Sequence, residues 1–180
     1  MNTRHIGRSC ILAGLCMVAG HGTWAKTLDE AYADCNSLPL AQFEGTIVDA
    51  AVATPELSTL VDLVTKAGLV GALSGPGPFT VYAPKNSAFE GVPSSVLNSI
   101  AEDAGLLTAV LTYHVSPGSV DPRAFKTARE RKTLLSGQSV FVDFDRDGPK
   151  VNQSIAGCQG VKASNGTVWL IDSVLLPQFR

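Results

Sequence analysis

Three short blocks, spaced along this chain of 180 residues, constrain its fold more than any other feature of the sequence. The first, residues 79–89 (FTVYAPKNSAF), predicts an apolar strand that ends at Pro84, because proline cannot donate to a strand ladder. The second is the Tyr-His-Val of residues 113–115. The third, residues 165–172 (NGTVWLID), begins with Asn-Gly, a strong hairpin signal, and continues as a strand.

The spacing of apolar residues predicts the secondary structure of the segments between these blocks. A core-facing helix is predicted from a stripe at the i, i+3, i+4, i+7 spacing, between a potential cap at Thr54 and a stop at Gly68. Its members are Leu57, Leu60, Val61 and Val64. Helical spacing returns over residues 94–111, and residues 139–144 alternate as a strand before an Asp147-Gly148 turn. Helices that precede strands indicate an α+β domain and not a series of βαβ units.

The three blocks resemble those of the fasciclin-like domain family, and the resemblance extends over about residues 44–177, where Leu175-Leu176-Pro177 matches the family's ending. It implies an α+β fold, a fasciclin-like β-sandwich of short strands with helices packed at one end.

The first 25 residues have the features of an export signal. Arg4 and Arg8 precede an apolar run over residues 11–20 that is too short to span a bilayer, and small residues follow it. We expect residues 1–25 to be a signal peptide, 26–43 an N-terminal arm and 44–177 the domain of a secreted or periplasmic protein. A lipoprotein signal at Cys16 is the competing interpretation, but Leu precedes Cys16 where Gly or Ala is needed.

Removal of the signal leaves Cys35 and Cys158 as a pair in an oxidising compartment, where a disulfide is the default. That bond would tie the N-terminal arm to the last hairpins. A redox-active or metal-binding pair is the alternative, but the spacing is not Cys-x-x-Cys and no His is near in sequence.

The charge balance excludes a nucleic-acid partner. Without Arg4 and Arg8, 12 of the 14 Lys and Arg remain against 16 Asp and Glu, which gives a net charge of −4. The basic cluster is Lys126, Arg129, Arg131 and Lys132. We interpret it as a solvated helix face, with a polyanion-binding patch as the alternative.

Catalytic motifs are not found in the sequence, and His114 is the one histidine after residue 25. We therefore expect no enzyme activity and no cofactor. His114 is predicted to be a buried imidazole with a satisfied hydrogen bond. The resemblance implies that Asn86, where many family members carry Asp, is its partner.

Asp143, Asp145 and Asp147, followed by Gly148, match the first half of an EF-hand calcium loop. The twelfth position is Ser154, where a bidentate Glu is expected, and the flanking residues alternate as in a strand. We therefore predict a charged hairpin tip and no metal site.

The resemblance implies a non-catalytic binding module for cell adhesion or surface and matrix association. Its partner would be a cell-surface or extracellular protein or polysaccharide, or a second copy. The residues predicted to contact it are Tyr113, Val115, Val120 and Phe125, each of which has a core position as its alternative. A carrier of a lipophilic small molecule such as a carotenoid, held in an apolar cleft between helices, is the alternative function.

Overall fold

The computed structural model describes residues 26–178, so the predicted signal peptide lies outside the described residues. The helices are α1 (Leu28–Ser37), α2 (Ile47–Val52), α3 (Ser58–Lys66), α4 (Val70–Leu73), α5 (Asn86–Glu90), α6 (Ser94–Glu102) and α7 (Ala104–Tyr113). Short 3₁₀ turns span Pro55–Leu57 and Pro122–Ala124. The strands are β1 (Ala41–Gln42), β2 (Phe79–Pro84), β3 (Val115–Pro117), β4 (Arg129–Lys132), β5 (Ser139–Asp145), β6 (Gly148–Val151), β7 (Ser154–Ile155), β8 (Val161–Ala163) and β9 (Gly166–Ile171).

The strands form two sheets. The first has the order β1-β8-β9-β2-β3, in which β2 pairs in parallel with β9 over six residues and in antiparallel with β3. The second sheet is an antiparallel meander with the order β4-β5-β6-β7. The predicted α+β class is confirmed.

Alternation along β2 and β9 divides the core into two parts. Ala83 and Val168 face a layer built from α2, α3, α6 and α7, while Tyr82, Trp169 and Ile171 face the second sheet. All five of these side chains are buried. The first sheet is therefore covered on both faces, which explains why β9 is apolar at nearly every position.

The apolar stripe predicted a helix correctly, although its start is different. Leu57, Leu60 and Val64 are buried, and the chain leaves α3 at Gly68 with φ +69°. Thr54 does not cap this helix, because its hydroxyl donates to the carbonyl of Ala50 at 2.8 Å. A 3₁₀ turn at Pro55–Leu57 therefore precedes α3.

The Asn-Gly hairpin is present between β8 and β9, but its turn lies one residue earlier than predicted. Ser164 and Asn165 form the turn, and Gly166 already pairs with Ala163. A Cβ at Gly166 would lie 2.3 Å from the carbonyl oxygen of Phe79, so glycine is required for close approach between strands and not for a positive φ. The Asn165 side chain accepts from the amide of Ile47, at the start of α2, at 2.8 Å.

Two segments differ from the sequence predictions. The basic cluster was predicted as a helix face, but Arg129, Arg131 and Lys132 belong to β4, an edge strand whose charged residues discourage pairing with another chain. The N-terminal arm contains α1, a helix capped by Thr27, and Tyr32 on this helix meets Phe144 of β5 edge to face at 5.1 Å.

Candidate functional site

The predicted disulfide is confirmed: Cys35 of α1 is bonded to Cys158, across 123 residues of sequence. Beside it lies Arg123, a buried arginine that the sequence analysis did not identify. Its Nη1 donates to the carbonyl oxygens of Cys35, Leu38 and Cys158 at 3.3, 2.7 and 3.1 Å.

The same guanidinium pairs with the Asp121 carboxylate through Nε and Nη2, at 3.0 and 2.7 Å, and lies 5.0 Å from the centre of the Trp169 ring. Arg123 therefore holds together the two segments that the disulfide joins. This arrangement is structural, since its donors point at backbone carbonyls.

His114 is buried, as predicted, and both its ring nitrogens are engaged by the backbone. Nδ1 lies 2.8 Å from the carbonyl of Val110, and Nε2 accepts from the amide of Leu175 at 2.9 Å. These two bonds define a neutral imidazole that carries its proton on Nδ1. Burial lowers the pKa of His114 to about 4.

The predicted hydrogen bond between His114 and Asn86 is wrong. The Asn86 amide instead accepts from the backbone N–H of Thr59 at 3.1 Å and donates to the Pro55 carbonyl and the Ser58 hydroxyl at 3.1 and 3.0 Å. Asn86 thus satisfies groups at the first turn of α3, where helix donors lack intrahelical partners. A residue 27 positions away in sequence supplies the cap that Thr54 does not.

The four residues predicted to contact a partner do not form an exposed surface. Tyr113 and Val115 are buried, and Val120 and Phe125 are half-buried against the core between the sheets. The Asp-Pro at residues 121–122 begins a buried 3₁₀ turn and not an open loop, which explains the error.

The acidic hairpin is present between β5 and β6, as predicted. Asp145 lies on β5 with its carboxylate against the Lys150 ammonium, which also lies 3.8 Å from a carboxylate oxygen of Asp147. This ion pair raises the pKa of Lys150. Within residues 26–178, no group of three or more His, Cys, Asp or Glu is arranged to hold a metal ion.

Two apolar cavities lie among the helices. One, of about 150 Å³, lies between α2, α3 and α4 and is lined by residues such as Ile47 and Val64. The other, of about 160 Å³, lies between α3, α6 and α7 and reaches His114. A cavity near 150 Å³ holds a molecule the size of benzene, and ligand pockets generally have about 300 to 1,000 Å³.

A larger cleft, of about 500 Å³, lies on the outer face of the second sheet. Residues on its walls include Glu130, Gln138, Phe141, Asn152, Gln153 and Leu176, and we call it the polar cleft. Phe141 is 54% exposed there, although it lies in the middle of β5. A second cavity, of about 450 Å³, shares Glu130 and Gln138 with it and continues past the β4–β5 turn.

Tyr113, which lines the polar cleft, was among the residues predicted to contact a partner, whereas the other residues of the cleft were missed by the sequence analysis. A signal was present, since Val140, Val142 and Phe144 alternate as the buried set and this places Phe141 on the opposite face. This places an aromatic side chain on the exposed face of the strand, where a partner can reach it.

The model of the family described as Fasciclin domain matches residues 55–177, and this protein belongs to that family. The expectation drawn from the three sequence blocks is confirmed.

Relatives extend the match toward the N-terminus. The chain is 37% identical to the immunogenic protein MPB70 of Mycobacterium bovis over 155 residues, which cover 81% of this chain and 78% of that protein. It is 39% identical to protein sll1483 of Synechocystis sp. over 134 residues, which cover 73% of each. A third relative, the cell surface glycolipoprotein MPB83 of M. bovis, is 36% identical over 73% of this chain, and the match spans 60% of that protein.

Among solved structures, a FAS1 domain pair from the insect cell adhesion molecule fasciclin I matches with a TM-score of 0.52 at 16% identity. The match covers 67% of this chain and 45% of that one, and at this identity it supports the fold alone. Within the part of the chain that the structure describes, no helix is long and apolar enough to cross a membrane.

Proposed function

We propose that this protein is a non-catalytic adhesion-type binding module that works outside the cytoplasm, attached to a cell surface or an extracellular polymer. The observation that supports this most is the polar cleft, an open site of about 500 Å³ on the outer face of a rigid sheet. Adhesion requires a site that a large partner can reach, and this cleft is open to one.

The relatives support the same location. One is named a cell surface glycolipoprotein. The predicted signal peptide and the Cys35–Cys158 disulfide favour an oxidising compartment in the same way.

The chemistry of the described residues supports binding without turnover. A general base must have a free nitrogen or carboxylate within reach of its substrate, whereas both nitrogens of His114 are engaged by backbone groups. A neutral, buried imidazole in this setting stabilises the fold and has no lone pair to offer.

The cavity sizes favour adhesion over the carrier function. Each apolar cavity, at about 150 and 160 Å³, is about half the lower limit for a drug-sized ligand, so a carotenoid would require the helices to separate. The polar cleft is about three times larger but is lined mainly by polar groups, whereas a polyene requires an apolar lining. We therefore place the carrier function second.

Sedimentation of labelled protein with intact cells of the source organism, and with the extracellular polymer they shed, tests the proposal. We expect saturable sedimentation that excess unlabelled protein displaces, and no pigment or lipid in an organic extract of natively purified protein. A stoichiometric pigment together with no sedimentation would contradict adhesion and favour the carrier.

A further inference from the structure

We infer that the polar cleft binds a neutral polysaccharide, with the Phe141 ring as the surface on which a sugar packs. This inference rests on the proposed function and names the chemistry of its partner. It depends on three properties of the cleft: an aromatic platform, hydrogen-bonding groups around it that are uncharged except for Glu130, and a shape that continues past a single residue of a polymer.

The backbone that carries the Phe141 ring is fixed in place. The backbone N–H of Phe141 donates to the Asn152 side-chain oxygen at 2.9 Å. The Phe141 carbonyl accepts from the backbone N–H of Asn152 at 2.7 Å. Asn152 in turn donates to the Tyr113 hydroxyl at 3.1 Å, which donates to the Ser139 carbonyl at 3.1 Å. The strand beneath the ring therefore does not have to be ordered when a partner binds.

An exposed ring suits a sugar because one face of a pyranose presents C–H groups. The face of an aromatic ring carries negative charge density, so these slightly positive C–H groups pack on it favourably. Phe141 has no hydroxyl to be solvated, and its 54% exposed ring is open to a partner.

The groups around the ring are mostly amides. Gln138 donates to the carbonyl of Gln178 at 3.2 Å, which leaves its side-chain oxygen as an acceptor, and the Gln153 side chain is exposed beside Asn152. Amides offer donors and acceptors together, and sugar hydroxyls require both.

Charge excludes an anionic polymer. The cleft and the cavity that continues it contain Glu130 and Lys132, which are of opposite sign, so their fields largely cancel. The other half of the same sheet face is acidic on balance, because Asp143 and Asp145 of β5 face a single Lys150 of β6. An anionic chain would be repelled there, whereas a neutral chain would not.

Affinity electrophoresis tests this inference. The exported chain, with an expected net charge of −4, is run in native gels that contain a soluble β-glucan, α-glucan or galactomannan, with alginate as the anionic comparison. We expect at least one neutral polymer to retard the wild type. Phe141→Ala should weaken the retardation about tenfold or more, as for aromatic residues at the centre of an interface, and Phe141→Tyr should preserve it.

Val52→Ala is the matched control, because Val52 is an exposed apolar residue on α2, on the helical side of the first sheet. It should not change the retardation. The inference would be overturned if only alginate, or only a protein polymer such as gelatin, retarded the protein. It would also be overturned if wild type and Phe141→Ala were retarded equally.

Cell sedimentation separates this failure from failure of the proposed function. If wild type and Phe141→Ala sediment equally with cells, the cleft is not the site but the protein is still adhesive. If neither sediments, the adhesive function fails as well.

Discussion

Arg123 should contribute more to stability than any other charged side chain described in this fold, and its truncation provides a quantitative test. Arg123→Ala removes the donors to three backbone carbonyls, of Cys35, Leu38 and Cys158, as well as the partner of Asp121. The Asp121 side chain is 37% exposed, so water can solvate its carboxylate after the change. Most of the expected loss of stability comes from the three backbone carbonyls, which lose their donor.

Removing one partner of a buried charged network costs about 3 to 5 kcal/mol. In a domain of this size, each kcal/mol lowers the melting temperature by about 2 to 4 °C, so Arg123→Ala should lower it by about 10 °C. Arg123→Lys keeps the charge but has one ammonium in place of a planar fork, and should cost about half as much.

Urea unfolding followed by far-UV circular dichroism measures these costs, and Lys126→Ala is the control. The Lys126 ammonium pairs with Asp29 at 2.6 Å, but both side chains are largely exposed, so its loss should cost below about 1 kcal/mol. If Arg123→Ala and Lys126→Ala have the same free energy of unfolding, the buried arginine does not stabilise the fold as argued.

Three further predictions concern other bonds. Intact mass before and after reduction should show a Cys35–Cys158 disulfide in natively purified protein, and replacing both by Ser should cost about 5 kcal/mol in the chain-entropy model; two free thiols would contradict the bond. Because burial lowers the folded pKa of His114 to about 4, the unfolded chain takes up this proton first, so the free energy of unfolding should fall by about 2 kcal/mol from pH 7.5 to pH 5. His114→Gln should reduce this fall, measured by urea unfolding at each pH. An unchanged pH dependence in the variant would show that His114 is not the group responsible. Asn165→Asp keeps the acceptor for Ile47 but places a carboxylate oxygen against the Leu73 and Gly75 carbonyls, which the Asn165 amide now donates to. Its melting temperature should therefore fall below that of Asn165→Ala, and the reverse order would contradict these hydrogen bonds.

Local patterns predicted much of the fold. The stripe on α3, the alternation along β5 and the Asp-Gly and Asn-Gly hairpins were all found from spacing, because such patterns record which side of an element is buried. The disulfide followed from cysteine count and compartment.

Contacts between distant residues could not be predicted in this way. Asn86 caps a helix that begins 28 positions before it, and Arg123 reaches carbonyls more than 30 positions away on both sides. Nothing in the sequence around either residue records the partner, because polar side chains accept many partners with similar energy. The resemblance indicated Asn86 as the partner of His114, which proved wrong.

The candidate site shows the same limit. The Tyr-His block was interpreted as a contact surface. Tyr113 is instead buried beneath β5 and β6, and this burial depends on how the two sheets pack, which local patterns do not show. The alternation along β5 already placed Phe141 on the outer face. The sequence did not show that Asn152 and Gln153 lie beside it and form a cleft with it.

Hydroxyl-radical footprinting of the protein attached to isolated cell surfaces tests the central claim most directly, because it reports where a partner covers side chains. We predict that Phe141 and Leu176, exposed by 54% and 46%, become protected on attachment, while Val52 and Val96, exposed by 64% and 38% on helices, remain as reactive as in free protein. Protection of Val52 with an unchanged Phe141 would place the adhesive surface on the helices and contradict the assignment of the polar cleft.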